Sequence, residues 1–181
     1  MNDLAILIID MQKEFVSKLD PVKQAAMIAS QMNFIKYSMQ NNLPIINVRY
    51  ESCGKTLNPI RSQLVKYRDV FPIKKSTYSV FEASDVDKLL CVLGAEKLFI
   101  MGVNAMSCVY ESAVDASRHY EVHVADDLIG SPMASIFAKS DLEERKKYFK
   151  SSYNEMDKKY ADRIFYHDDH KKFIEYIEKK K

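Results

Sequence analysis

Glycine is scarce in this chain of 181 residues, which has only Gly54, Gly94, Gly102 and Gly130. No two of them lie closer than eight positions, so neither GxGxxG nor GxxxxGK occurs in the sequence. The two commonest glycine-rich loops for nucleotide binding are therefore excluded. An excess of one charge is also lacking, because 27 basic and 25 acidic residues leave a net charge of +2. This balance argues against a nucleic-acid partner.

Cysteine is rare as well, and Cys53, Cys91 and Cys108 form no CxxC pair. An odd number of cysteines without a secretory leader predicts a reducing compartment, so we expect a cytoplasmic protein without a cysteine zinc site. The apolar run LAILII near the N-terminus spans about six residues before Asp10, which is too short for a membrane span. We therefore expect no membrane partner.

The hydrophobic content of 47% is enough for a single domain over 1–181 with a full core. Short apolar, β-branched runs alternate with longer helical patterns, and this alternation predicts an α/β fold with a doubly wound sheet. The strand-like runs are LAILII, PIINVRY, VFPI, KLFIMGV, EVHVA and RIFYH. From residue 139 onward the signs of charge are mixed, which indicates a solvated helical region.

Several helices have recognisable starts in the sequence. Asp20, followed by proline, is a suitable N-cap for a helix that runs to about residue 39. The segment SDVD from Ser84 resembles a capping box, and a further helix is expected near Ser107. Cys91 lies in LLCVLG, on what we predict to be a buried apolar helix face.

Chemistry-bearing side chains follow the predicted strands. Asp10 ends the first strand, Lys74 and Lys75 end the third, and Cys108 begins the helix after the fourth. Because function in an open α/β sheet gathers at the carboxyl ends of the strands, we expect carboxylate, ammonium and thiol to share one site. A nearby cation and a helix N-terminus both favour the thiolate, so we expect a depressed pKa for Cys108.

This trio has the parts of a nucleophilic catalyst. Asp10 would take the thiol proton as general base, and Lys75 would keep the carboxylate charged and stabilise the thiolate. The backbone amides of Asn104 and Cys108, in the turn before the helix, are expected to donate to an oxyanion.

Three segments resemble the isochorismatase-like cysteine hydrolases and span about residues 4–130: LAILIIDMQKEF, KSTYSVF and GVNAMSCVYESAVDA. They are similar to the family's opening strand, its lysine segment and its nucleophile segment. The resemblance implies that Asp10, Lys75 and Cys108 are catalytic, which selects Lys75 over Lys74. It also implies that Gln12 and Phe15 lie at the pocket.

The resemblance further implies a three-layer α-β-α fold with a six-stranded, mainly parallel sheet. It implies a cis peptide between Val103 and Asn104, and a homo-oligomer of two or more chains. The sequence departs from the family at Ala105, where the family often has threonine.

Metal ligands are the second departure. Nicotinamidases of the family carry an Asp-x-His segment after the second strand, whereas this chain reads NVRYESCGKT and has no histidine before His119. His119 and His123 are expected to be divided by a helix end and a strand. In HDDH at 167–170, Asp168 or Asp169 is expected to cap the last helix. We therefore expect no metal and no cofactor.

The sequence thus predicts a cysteine hydrolase that cleaves a C–N bond of a small amide or ureido substrate through a thioester. The loop 51–70 is expected to set specificity, and Arg49 or Lys55 to bind a carboxylate. Two alternatives stay open: a catalytically silent binding or scaffold protein of the same fold, and a metal-independent nicotinamidase- or isochorismatase-type hydrolase. The expected substrate contacts are Gln12, Phe15, Arg49, Tyr50 and Tyr78, with Tyr110 as a further aromatic.

Overall fold

The computed structural model describes residues 3–82, 84–151 and 158–179. The strands are β1 (Leu4–Ile9), β2 (Ile45–Tyr50), β3 (Val70–Lys75), β4 (Lys97–Val103), β5 (Glu121–Ala125), β6 (Ile129–Gly130) and β7 (Ile164–His167). The helices are α1 (Lys13–Val16), α2 (Pro21–Gln40), α3 (Ile60–Leu64), α4 (Val86–Val92), α5 (Cys108–Ser117), α6 (Ile136–Lys139), α7 (Leu142–Ser151) and α8 (His170–Lys179). Turns of 3-10 helix cover Asp126–Leu128 and Lys158–Arg163.

The strands form one sheet in the order β3-β2-β1-β4-β5-β7, and β6 pairs with β4 beside this path. All of these pairings are parallel, which confirms the predicted α/β fold. The six predicted strands match six of the seven, whereas the two-residue β6 is too short to show a pattern. The chain runs from β1 outward to β3 and then returns to the other side of β1. The order therefore reverses between β1 and β4, where ligands bind in such sheets.

The helices cover both faces of the sheet, because side chains alternate between faces along each strand. In β1, Ala5, Leu7 and Ile9 face a core shared with α4 and α5. Leu4, Ile6 and Ile8 face a second core shared with α2, α3 and α8. The result is the expected three-layer α-β-α arrangement.

Two of the predicted helix caps are present. Asp20 accepts hydrogen bonds from the backbone amides of Val22 and Lys23, both at 3.0 Å. Asp169, which precedes α8, accepts one from the amide of Lys172 at 2.9 Å. Burial of Cys91 was wrongly predicted: its side chain is exposed, because α4 turns Val86 and Leu90 to the core instead.

Within the described ranges, no helix combines the length and the apolarity that a membrane crossing requires.

Candidate active site

The point where strand order reverses brings Asp10 next to the end of β4. Asp10 directly follows β1 and has a φ of +50°, a backbone region that aspartate tolerates better than most residues and that recurs at functional sites. Its amide donates to the Val48 carbonyl at 3.1 Å. On β4, Gly102 has a φ of +127°, and a Cβ there would overlap the backbone of Ile9. Glycine at 102 thus permits the close approach of the two strands.

Lys75 and Asp10 form a buried ion pair at this edge. The Lys75 Nζ lies 2.8 Å from Asp10 Oδ2, and the two side chains are 0% and 1% exposed. The same ammonium donates to the carbonyls of Thr77 at 2.9 Å and Tyr78 at 3.1 Å. The two hydrogen bonds and the ion pair together hold the lysine in one position facing the carboxylate.

The Cys108 thiol is the third member of the group and interacts with both Asp10 and Lys75. Burial raises the pKa of the Asp10 carboxyl, although Lys75, the Cys108 thiol and the Tyr50 amide lower it. Burial also raises the pKa of the Cys108 thiol, the charge of Asp10 raises it further, and Lys75 lowers it. The expected depression of the thiol pKa is therefore wrong, because burial and the neighbouring carboxylate outweigh the ammonium. Burial therefore disfavours the thiolate of Cys108 relative to that of an ordinary exposed cysteine.

The turn between β4 and α5 presents backbone amides beside the thiol. The Val103–Asn104 peptide is cis, and Cys108 is the first residue of α5. The Asn104 carbonyl accepts from the amides of Ser107 and Val109, both at 3.1 Å. In the part of the chain that the structure describes, the amides of Asn104 and Cys108 themselves donate to no protein acceptor. Both are available to a bound ligand.

Ser131, which directly follows β6, supports this turn through a contact that the sequence did not indicate. Its hydroxyl donates to Asn104 Oδ1, which also accepts from the Met106 amide at 3.2 Å. The Ala105 amide donates to the Gly130 carbonyl at 2.8 Å. The turn thus has side-chain and backbone support although Ala105 lacks the hydroxyl of the family's usual threonine.

Cys108 opens into a cavity of about 400 Å³, which lies within the size range of small-molecule sites. Three expected substrate contacts, Phe15, Tyr50 and Tyr78, line it, and the rings of Phe15 and Tyr50 meet edge to face at 6.2 Å. Tyr110 packs instead against Tyr148. The complete lining is Phe15, Lys18, Leu19, Tyr50, Ser52, Cys53, Tyr78, Val103, Asn104, Ser107, Cys108 and Pro132.

Two other expected contacts lie elsewhere. Gln12 is fully buried, and its side-chain amide joins two backbone segments. The amide nitrogen donates to the carbonyls of Tyr50 at 3.1 Å and Gly54 at 2.6 Å. The amide oxygen accepts a hydrogen bond from the Tyr50 backbone amide at 2.8 Å. Gln12 therefore holds the rim of the cavity rather than lining it. Arg49 precedes Tyr50 on β2, where alternation points it to the other face of the sheet, and it does not line the cavity. From the loop 51–70, Ser52 and Cys53 reach the cavity.

The histidines pair with neighbours away from this cavity. His123 contacts His167 at 3.1 Å and Glu121 at 2.9 Å, and His170 pairs with Asp127 at 2.6 Å. In residues 3–82, 84–151 and 158–179, no group of three or more histidine, cysteine or acidic side chains is arranged to hold a metal ion.

A second cavity of about 430 Å³ lies between α2 and the segment that follows β6. Both of its basic side chains already have partners. Arg145 donates two hydrogen bonds of 2.6 and 2.7 Å to the Asp126 carboxylate, and Lys23 donates one of 2.6 Å to the Ala138 carbonyl. Cys108 does not line it. The cavity that contains the thiol is therefore the candidate active site.

Comparison with known proteins gives one family and a consistent set of structural neighbours. The model of the isochorismatase domain family matches residues 4–150. No curated protein matches this chain. Among solved structures, a nicotinamidase from Staphylococcus aureus is 19% identical with a TM-score of 0.69, over 84% of this chain and 94% of that one. An N-carbamoylsarcosine amidase from Thermoplasma acidophilum is 20% identical with a TM-score of 0.69, over 91% and 95%. At these identities the neighbours establish the fold.

Proposed function

This chain belongs to the isochorismatase domain family, and on that premise we propose that it is an amidohydrolase in which Asp10, Lys75 and Cys108 act on a small amide or ureido substrate. The observation that carries the proposal is the buried Lys75–Asp10 ion pair, 2.8 Å long, beside the Cys108 thiol, which lines a cavity. Burying two charges costs free energy, and a cluster of this kind in a cleft is typical of catalytic sites.

In the first half of the proposed reaction, the Cys108 sulfur attacks the carbonyl carbon of the substrate while Asp10 takes the thiol proton. The carbonyl oxygen becomes an oxyanion, which accepts hydrogen bonds from the amides of Asn104 and Cys108. Asp10 then gives its proton to the leaving nitrogen as the C–N bond breaks. Ammonia or an amine departs, and the acyl group stays on Cys108 as a thioester.

In the second half, water attacks the thioester carbon while Asp10, again a carboxylate, takes a proton from the water. The C–S bond breaks, the acid is released, and the proton returns from Asp10 to the Cys108 sulfur. Lys75 keeps its place throughout, because the carbonyls of Thr77 and Tyr78 hold its ammonium. Its charge offsets that of Asp10 whenever the carboxylate is ionised.

The size and lining of the cavity favour a small substrate with a planar or apolar central part. Phe15, Tyr50 and Tyr78 offer aromatic surface, and the backbone of the turn offers donors to the carbonyl. The second candidate function is binding of such molecules without turnover, as in a scaffold protein. The raised pKa of the Cys108 thiol favours this alternative, whereas the presence of all three proposed catalytic side chains at one edge of the sheet favours turnover.

The proposal is tested by screening small primary amides and ureido compounds for ammonia release with a chelator present. Cys108→Ser and Asp10→Asn are expected to lower kcat at least about 100-fold, and the acylated enzyme is expected to carry its added mass on the Cys108 peptide. Cys91→Ser, at an exposed position on α4, is the matched control and should leave the rate unchanged.

Two results would contradict the proposal. Full activity in Cys108→Ser would exclude the thioester, and loss of activity with chelator would require a metal. Binding of amides, seen as a rise in Tm without any ammonia release across the panel, would favour the catalytically silent protein instead.

A further inference from the structure

The cavity at Cys108 has one formally charged side chain in its lining, that of Lys18. The other residues around the cavity are aromatic, apolar or small and polar. Neither Arg49 nor Lys55, the two cations expected from the sequence to bind a carboxylate, is among them. Lys18 is therefore the candidate for selecting substrates by charge.

Backbone hydrogen bonds fix the position of the Lys18 main chain. Its amide donates to the Phe15 carbonyl at 3.2 Å, and its carbonyl accepts from the Met133 amide at 3.3 Å. The next residue, Leu19, is buried at 5% exposure. From this fixed base the Lys18 side chain extends along Phe15, with its Nζ 6.0 Å from the centre of the ring. The ammonium thus lies beside an aromatic wall of the cavity.

The acidic residues nearest to Lys18 in the sequence are engaged elsewhere. Glu14, four residues earlier, has the usual spacing for an ion pair with a lysine, yet its Oε1 accepts from the Gly54 amide at 3.1 Å. Asp20, two residues later, caps α2 through the amides of Val22 and Lys23.

Some lysines of this chain are paired, such as Lys88 at 2.8 Å from Asp85 and Lys172 at 3.1 Å from Glu175, whereas Lys18 shares the lack of an ion pair with other lysines and differs from them in lining the cavity. Within the ranges that the structure covers, Lys18 has no carboxylate partner. Lys18 is exposed, so its charge is screened by solvent and salt, but a cation that lines a substrate cavity and lacks an internal counter-ion is available to an anionic ligand.

We propose that Lys18 binds a carboxylate of the substrate, so that the preferred substrates are small amides or ureido compounds with a carboxylate at the end remote from the scissile carbonyl. This inference rests on the proposed function. Lys18 is then a specificity-determining residue: it contacts the substrate through a charge-assisted hydrogen bond, and it takes no part in moving protons.

The kinetic test compares amides that have either a carboxylate or a neutral amide at the remote end, succinamate with succinamide and glutaramate with glutaramide, with the rates of the two diamides taken per scissile amide. We expect kcat/KM to favour the carboxylate of each pair by about tenfold, and the preference to shrink as salt is raised. Lys18→Met should abolish it, mainly through KM, and Lys18→Arg should retain it. Lys13→Met, an exposed lysine at the start of α1 outside the cavity lining, should leave it unchanged.

A second readout does not need turnover. Iodoacetate and iodoacetamide have nearly the same shape and differ in charge, so the ratio of their rates of alkylation at Cys108 reports the charge of the cavity. We expect Lys18→Met to lower the ratio of iodoacetate to iodoacetamide rates by about tenfold, and Lys13→Met to leave it unchanged.

An unchanged alkylation ratio in Lys18→Met, or equal turnover of charged and neutral amides by the wild type, would overturn the role of Lys18. If no amide is hydrolysed but the alkylation ratio falls as expected, the proposed function fails while the anion site at Lys18 stands.

Discussion

Replacing Lys75 with methionine is expected to leave the Asp10 carboxylate buried without its cation. Methionine keeps most of the volume of the lysine stem, so the change removes the charge with little change in packing. The pair is closed to solvent, with side-chain exposures of 0% and 1%, and water cannot replace the missing ammonium. We therefore expect the variant to be strongly destabilised at neutral pH.

The size of the effect follows from the burial of the pair. Removing one partner of a buried ion pair costs about 3–5 kcal/mol. A protein of this length loses about 2–4 °C of Tm per kcal/mol, so the expected fall is about 6–20 °C. Lys74→Met is the matched control, since Lys74 is the preceding residue of β3 and its side chain is exposed. We expect that control to change the free energy of unfolding by less than about 0.5 kcal/mol.

The dependence on pH separates a lost charge pair from a lost contact. Burial already raises the pKa of Asp10 in the wild type, and loss of Lys75 raises it further. The folded variant then binds a proton more readily than the unfolded chain, so its free energy of unfolding falls as pH rises and recovers as pH is lowered. Urea titrations at pH 7.5 and 5.5 measure this.

The reasoning is refuted if Lys75→Met unfolds within about 1 kcal/mol of Lys74→Met at pH 7.5, or if its deficit does not shrink at pH 5.5. The double variant Asp10→Asn/Lys75→Met is expected to be more stable than Lys75→Met, because it has no unpaired carboxylate to bury.

Three further predictions concern proton transfer by Asp10, the turn before α5 and a histidine at the end of β7. Asp10→Asn removes a charge that raises the thiol pKa, so Cys108 should be alkylated faster near pH 7.5 while kcat falls about 10²–10⁴-fold; slower alkylation would contradict this. Ser131→Ala removes the hydroxyl that supports Asn104 and should lower kcat about tenfold with a small change in Tm, whereas an unchanged kcat would count against it. Burial lowers the pKa of His167 to about 4 from 6.5, so stability present above pH 6.5 should be lost as pH falls toward 4, by about 1–2 kcal/mol after allowing for partial exposure. His167→Gln should flatten that difference in urea titrations.

The sheet and the ends of its strands could be predicted from the sequence because they depend on local pattern. Each long strand is a run of apolar residues, and the parallel order brings residues that end such runs to one edge. The pattern alone placed Asp10 there together with Lys74 and Lys75, the family resemblance selected Lys75, and the structure sets Lys75 and Asp10 2.8 Å apart. The apolar pattern predicted less where an element is short. Strand β6 has two residues and shows no pattern, and in the seven-residue helix α4 the pattern did not show that Cys91 faces outward.

The contacts of individual side chains were harder to predict, because they depend on backbone segments that are distant in the sequence. Gln12 is a clamp since the Tyr50 backbone, 38 residues away, presents a complementary amide and carbonyl. Ser131 reaches Asn104 across 27 residues through the pairing of β6 with β4. Lys18 belongs to no motif, and its place in the cavity depends on the turn after α1. No spacing in the sequence relates these residues to their partners.

The raised pKa of the thiol bears on when the nucleophile forms. A depressed pKa would leave Cys108 ionised at rest and open to any electrophile that enters the cavity. Here burial and Asp10 raise the pKa of the thiol, while burial also raises the pKa of Asp10. Burial thus makes Asp10 a stronger base, which favours transfer of the thiol proton, whereas the raised pKa of the thiol opposes that transfer.

In the proposed mechanism the thiolate is therefore formed with a substrate carbonyl in place, and the bound substrate supplies what the resting site lacks. Its oxygen engages the amides of Asn104 and Cys108, which stabilise the negative charge that leaves the sulfur. Its carbon takes the electron pair of the sulfur, so no free thiolate has to persist beside the Asp10 carboxylate. A reagent that fits the cavity but presents no carbonyl oxygen to the two amides should accordingly alkylate Cys108 slowly at neutral pH, and one that does present it should react faster than its solution reactivity toward a free thiol predicts.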